Sequence, residues 1–229
     1  MNLVMLDIDG TLTQSYEYDR EIFGRAIAEV IGIPPFEVDL NGYVDKTATG
    51  VAQEAIRRLT GRNPRDGEIL AVKRKVLRHL EKLYQESPKT FSEVPGAARF
   101  LERLRKLDGT AIAIATGCWR REAFFKLRAS GLSIAGLPLA TSDDDRNRLK
   151  IMEIAATRAR DFHACPGFER VVYIGDGSWD MEACRTMGYG FVGIGPRIRA
   201  VMDPEAGHWH QDFQKIEAVF ASVTAALGL

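Results

Sequence analysis

The sequence predicts an α/β fold built on a parallel sheet. Three short apolar runs predict it: Leu3-Val4-Met5-Leu6, Thr110-Ala111-Ile112-Ala113-Ile114-Ala115 and Val171-Val172-Tyr173-Ile174. Each runs abruptly into polar groups and small residues, and each is followed by a segment with helical spacing. Runs that are apolar on both faces belong to strands covered by helices on either side. Strands alternating with helices imply βαβ units, whose crossovers keep the strands parallel. Parallel strands bring their C-terminal ends to one edge, where open α/β sheets bind their ligands. Asp7, Asp9, Thr116, Asp176 and Asp180 should therefore converge.

The first run ends in Asp7-Ile8-Asp9-Gly10-Thr11. Two carboxylates held close together repel by roughly 4 kcal/mol at 4 Å and an effective dielectric near 20. Such a pair calls for a cation, or for one member to keep its proton. A crossover from about Gln14 to Glu93 follows, far longer than the dozen or more residues such a connection needs. Its stripes are helical: Ile22, Phe23, Ala26, Ile27, Val30 and Ile31 up to Gly32; Val51, Ala52, Ala55, Ile56 and Leu59 up to Gly61; and Ile69 to Leu83 before Pro88.

The core pattern then resumes with a helix over Gly96 to Leu107 closed by Gly109, and a helix from about Trp119. A short strand near Leu139 to Thr141, a helix over Arg148 to Asp161 and a helix over Asp180 to Met187 follow. A strand over Phe191 to Ile194 and a terminal helix over Phe213 to Leu227 complete the chain. Gly193-Ile194-Gly195 lacks the third glycine of a dinucleotide fingerprint and reads as a turn. His208-Trp209-His210 has no matching cluster of ligands and reads as a surface loop.

Composition excludes several classes. The 31 basic and 31 acidic residues balance, so neither nucleic acid nor an anionic membrane is the expected partner. No apolar stretch reaches the roughly 20 residues that span a bilayer. The first strand begins within three residues of the N-terminus, leaving no room for a signal peptide. Cys118, Cys165 and Cys184 are odd in number and scattered, as expected of a reduced, cytoplasmic enzyme. Monomer and dimer both remain open.

In the order and spacing of these motifs the chain resembles the haloacid dehalogenase-like hydrolases, specifically their magnesium-dependent phosphatases with a phosphoglycolate-phosphatase-like layout. Asp7-Ile8-Asp9-Gly10-Thr11 matches the first motif, Thr116-Gly117 the second, and Gly175-Asp176 with Asp180 the fourth. The basic residue of the third falls within Asp145-Arg146-Asn147-Arg148-Leu149-Lys150-Ile151, which lacks the usual Gly-Lys-Pro context. Arg148 fits best, with Arg146 and Lys150 as alternatives. The resemblance implies a Rossmann-like three-layer core (residues 1–13 and 94–229) around a five-stranded parallel sheet of order 5-4-1-2-3, with an α-helical cap (residues 14–93) inserted after the first strand.

The resemblance implies a phosphatase acting on a small phosphorylated metabolite. Asp7 would be the nucleophile and Asp9 the acid and base. Asp7, Asp9 through its backbone carbonyl, and Asp176 would hold Mg2+, with Asp180 ligating directly, through water, or simply favouring its helix N-terminus. Gly10, Thr11, Thr116 and Gly117 would bind phosphate, with Arg148 supplying charge. Within Asn41 to Thr47, Tyr43 and Lys46 are candidates for touching the leaving group; the alternative is an ordinary helix start capped by Asp45 or Thr47. Cys118 lies beside the phosphate site with no histidine nearby in sequence, so a nucleophilic role is not expected. Rival readings are a dehalogenase, against which Asp9 speaks, a sugar phosphomutase, a phosphonate hydrolase using Lys46, and a non-catalytic phosphate-binding regulator.

Overall fold

The computed structural model describes residues 1–202 and 208–229. One sheet organises the chain: β1 (Asn2–Leu6), β2 (Thr110–Ala115), β3 (Leu139–Ala140), β4 (Val171–Gly175), β5 (Gly190–Ile194) and β6 (His208–His210). Its order is β3-β2-β1-β4-β5-β6, with every neighbouring pair parallel. The helices are α1 (Tyr16–Ile31), α2 (Ala48–Thr60), α3 (Glu68–Glu86), α4 (Ala97–Leu104), α5 (Arg120–Ala129), α6 (Arg148–Phe162), α7 (Ser178–Met187), α8 (Pro196–Arg199) and α9 (Ile216–Leu227). No helix among the described residues is long and apolar enough to cross a membrane.

The five expected strands take the expected order, and β6 adds a sixth at the edge. His208–His210 is therefore not a loop; it pairs with Val192–Ile194 of β5. Three residues without an apolar run give no strand signal. They are held by outside bonds: Trp209 Nε1 donates to the Gly195 carbonyl at 2.7 Å, and His210 Nε2 lies 2.9 Å from Ser222 Oγ. Gly193 and Ile194 belong to β5 rather than to a turn, which begins at Gly195. Helix ends also shift. The helix before β2 stops at Leu104, and the carbonyl of Gly109 accepts from Asn2 N at 2.8 Å at the foot of the sheet. Helix α7 starts at Ser178, two residues before the expected Asp180. Helix α9 starts at Ile216, leaving Phe213 free to pack on Phe100 at 4.7 Å between ring centroids.

Side chains alternate across the sheet. Val4, Leu6, Ile112, Ile114, Val172 and Ile174 face α4 and α9. Leu3, Met5, Ala111, Ala113 and Tyr173 face α6 and α7, and the small alanines let α6 approach closely. Each fully buried aliphatic side chain contributes roughly 1.5–3 kcal/mol.

Between β1 and β2, helices α1, α2 and α3 bury one shared cluster that includes Phe23, Ile27, Val51, Ile56, Val72 and Leu80. Left-handed glycines end the first two, Gly32 at φ +75° and Gly61 at φ +70°. Thr47 caps α2, its hydroxyl accepting from Gly50 N at 3.2 Å. This helix start rests on the sheet's C-terminal edge: Ala48 N donates to the Gly117 carbonyl at 2.7 Å, and Thr49 N to Ser142 Oγ at 2.7 Å.

Candidate active site

Ile8 organises the loop after β1. It is fully buried, as is Leu12, and its carbonyl accepts from Thr11 N, Leu12 N and Thr13 N at 3.2, 2.8 and 2.9 Å. The tight turn sends Asp7 and Asp9 to different neighbours. Asp7 joins Asp176 and Asp180, one carboxylate oxygen of each lying within 4.8 Å of the others. The Asp9 side chain turns instead toward Cys118 and Glu122. Gly10 closes the turn at φ +79°; a Cβ there would sit 1.8 Å from Asp176 Oδ2, so no other residue fits.

Asp176 directly follows β4 and Asp180 lies in the first turn of α7, where its Oδ2 also accepts from Gly177 N at 3.2 Å. Arg148, the first residue of α6, follows Asn147, whose side chain caps the helix by accepting from Leu149 N at 3.0 Å. Its Nη1 lies 3.5 Å from Asp180 Oδ1, 3.8 Å from Asp7 Oδ2 and 3.3 Å from the Tyr173 hydroxyl. Of the three basic candidates, Arg148 reaches the aspartates. Arg146 pairs with Asp45 and Gln53 at the surface, and Lys150 pairs with Glu153. Arg148→Ala should therefore reduce kcat/KM by about 10²–10³-fold, the scale of removing one preorganised charge or donor. Arg146→Ala and Lys150→Ala should change it a few-fold at most. Were Arg148→Ala the mildest of the three, the charge would have to come from elsewhere.

Burial is the main force on the acids. It pushes the Asp7 carboxyl up to about 7, against the pull of Arg148 and with help from Asp180 and Asp9. Burial also raises Asp176 and Asp180, opposed by Arg197 and Arg148 respectively. Beside only two arginines, three buried carboxylates carry excess negative charge that either a bound cation or a retained proton must offset. Asp176 Oδ1 and Asp180 Oδ1 are buried without a hydrogen-bond partner. Hard carboxylate oxygens at this spacing, left without hydrogen bonds, fit a small divalent cation such as magnesium. Arg197 already holds the other oxygen of Asp176, its guanidinium lying 3.2 Å from the centre of the Tyr16 ring.

A cavity of about 100 Å³ opens between this edge and the helical insertion, lined by Asp7, Asp9, Thr116, Gly117, Lys46 and Arg148. Thr116 is fully buried, its hydroxyl 3.3 Å from Cys118 Sγ. Gly117 leaves room for Arg148, whose Nη2 would lie 2.8 Å from a Cβ. Burial pushes the Cys118 thiol far up, so it stays protonated and unreactive. Gly10 and Asp176 line an adjoining groove. Thr11 is fully buried with its hydroxyl unpartnered, and is not among the cavity's lining residues. Lys46 reaches the cavity, its ammonium 5.4 Å from the Trp179 ring centre. Tyr43 does not; it stacks under Arg58 at 4.8 Å and lines an adjoining outer groove that shares Lys46, Arg148 and Trp179 with the cavity. A tyrosine in a turn before a helix looks free in sequence, but Arg58, on the next helix, claims its ring.

Sequence reasoning missed the groups around Asp9. Lys126 is fully buried, its Nζ 2.9 Å from Asp9 Oδ1, 2.6 Å from Asp19 Oδ2 and 2.7 Å from Glu122 Oε1. Ser15 Oγ donates to the same Asp9 oxygen. Burial opposes ionisation of Asp9, yet Lys126 and Ser15 hold its carboxyl below the usual range. The Glu122–Lys126 spacing of four was the one available signal.

A search of curated proteins returns no match. Among solved structures, a hydrolase from Pseudomonas syringae is 24% identical with TM-score 0.67, covering 93% of this chain and 94% of its own. CbbY from Rhodobacter sphaeroides is 20% identical with TM-score 0.70, covering 100% of both chains. A predicted phosphoglycolate phosphatase from Haemophilus somnus is 16% identical with TM-score 0.60, covering 96% and 98%. These likenesses establish the fold. The haloacid dehalogenase-like hydrolase family model matches residues 1–188, and the chain belongs to that family of enzymes.

Proposed function

We propose that this chain is a magnesium-dependent phosphatase of a small phosphorylated metabolite, working through an aspartyl-phosphate on Asp7. One observation carries the reading: Asp7, Thr116, Gly117 and Arg148 line a single cavity, with Asp176 and Asp180 beside Asp7. In the first step Asp9, having taken up a proton from solvent against the charge of Lys126, gives it to the leaving oxygen as an Asp7 oxygen bonds to phosphorus and the bond from phosphorus to that leaving oxygen breaks. In the second, water attacks the same phosphorus, Asp9 takes its proton, and phosphate leaves Asp7 unmodified. Thr116, the Gly117 N–H and Arg148 hold the transferring oxygens throughout. When magnesium is bound by Asp7, Asp176, Asp180 and the backbone carbonyl of Asp9, it adds positive charge against those oxygens.

The insertion, residues 14–93, acts as the cap. Its Phe23, Val38, Leu40 and Val51 form an apolar wall of the cavity, which favours a small leaving group over a polymer. The Rhodobacter sphaeroides protein was crystallised with phosphate, and a mutant of it with xylulose-1,5-bisphosphate. The three cysteines are unpaired, in keeping with a cytoplasmic location.

Phosphate release from p-nitrophenyl phosphate and from a panel of phosphorylated metabolites, with magnesium and then with chelator, tests the reading. Release that stops on chelation is expected, and no release from any ester with magnesium present would remove it. Within the panel, Lys46→Gln should reorder kcat/KM among metabolites while Tyr43→Phe leaves the ranking unchanged. An altered ranking in Tyr43→Phe alone would place selection in the outer groove.

A further inference from the structure

Lys126 sits where three parts of the chain meet. Asp9 comes from the loop after β1, Asp19 from the first turn of α1, and Glu122 from the first turn of α5. Its ammonium has three N–H donors, and the three carboxylates at 2.9, 2.6 and 2.7 Å take all of them. Glu122 is itself fixed, its other oxygen accepting from Trp119 N at 3.2 Å. Ser15, fully buried at the junction with the cap, adds a second donor to Asp9 and lies 3.0 Å from Thr13 Oγ1.

Beside this group, aromatic rings knit both chain crossings between cap and core to α5. Tyr18 packs on Phe91 at 4.9 Å, Phe91 on Phe125 at 5.6 Å, and Tyr84 on Phe125 at 6.0 Å between centroids. Burying four ionisable groups carries a desolvation cost that an apolar cluster of equal volume avoids, so packing alone does not account for them. The direction they impose is informative. The Asp9 carboxylate groups with Cys118 and Glu122 rather than with Asp7, Asp176 and Asp180, and Lys126 joins it to Asp19, which lines the same cavity.

We propose that Lys126 is a positioning residue: it fixes Asp9 toward the leaving-group side of the cavity and ties it to the cap through Asp19. Seating the cap and presenting Asp9 then become one event. The catalytic half of this inference rests on the phosphatase reading; the tie between Lys126 and the cap does not.

Two readouts separate them. The first is kcat/KM of Lys126→Met on glycerol 3-phosphate and on p-nitrophenyl phosphate. The loss should be about 10²-fold greater on the alkyl ester, whose leaving oxygen needs a proton. Equal losses on both esters would reduce Lys126 to a structural role. The second is amide hydrogen exchange over residues 14–19 and 88–93 in wild type, Lys126→Met and Asp19→Asn. Faster exchange is expected in both variants, and wild-type exchange in Asp19→Asn would overturn the tie. Should Lys126→Met fail to fold, Asp19→Asn, which leaves Asp9 and Glu122 beside Lys126, decides the tie by exchange, and its own kcat/KM on the two esters decides whether seating the cap presents Asp9. A wild type that cleaves neither these esters nor any of the metabolite panel with magnesium present would refute the phosphatase reading while the exchange result still stands.

Discussion

Asp7→Asn should abolish turnover and at the same time make the metal-free protein more stable. Loss of a covalent nucleophile costs on the order of 10⁴-fold or more in kcat. The stability gain follows from the burial that raises Asp7 from 3.8 to about 7. Between those values the folded chain holds a proton that the unfolded chain has released, so wild-type stability falls as pH rises through that window. Asparagine has no such proton to lose. The variant's advantage should therefore be absent near pH 3.5, grow through the window and be largest above pH 7, on the order of a few kcal/mol. Thermal melts in chelator at several pH values, beside phosphate-release assays, measure both halves. Near wild-type turnover in Asp7→Asn would end the aspartyl-phosphate mechanism, and a lower Tm at pH 8 would contradict the account of its burial.

Asp9→Asn should separate substrates by their leaving groups. Proton transfer by a placed acid is typically worth about 10²–10⁴-fold, and matters least when the leaving group departs as a stable anion. Turnover of an alkyl phosphate should fall by that factor, and formation of the aspartyl-phosphate from p-nitrophenyl phosphate should fall far less. The second step still lacks its base, so a burst of p-nitrophenol followed by a slow steady rate is expected in stopped flow. Equal losses on both esters, with no burst, would assign the proton to another group.

The parts of this architecture legible in sequence are those fixed by a strand ending. Asp7, Thr116 and Asp176 follow apolar runs, and parallel strands deliver such residues to one edge whatever the helices do. The basic residue was legible only to within a turn. Arg146, Arg148 and Lys150 differ in direction, and direction depends on where Asn147 starts the helix. Lys126 was hidden because glutamate and lysine four residues apart read as a solvated helix face; here that face meets Asp9 and Asp19, both distant in sequence. Arg197 had no signal at all, since its partner Asp176 lies on another element and its helix has four residues. Strand β6 was missed because its pairing comes from an edge already formed by β5 rather than from its own composition.

The apolar cluster shared by the three inserted helices has a consequence for how the chain assembles. Two of its buried members, Trp119 at the N-cap of α5 and Phe125 within it, come well beyond the point where the inserted helices end. Trp119 stacks on Phe23 at 5.1 Å and donates to Thr49 Oγ1 at 2.8 Å, so it fills a seat made by α1 and α2. A nascent chain that has emerged only through α3 has all three inserted helices but an open seat where that indole belongs. Strand β1 waits as well, since both of its neighbours, β2 and β4, are made later. Neither part can close before the ribosome has delivered α5. The early chain therefore exposes apolar surface for longer than a chain with locally completed domains would, the interval in which nascent proteins depend most on chaperones.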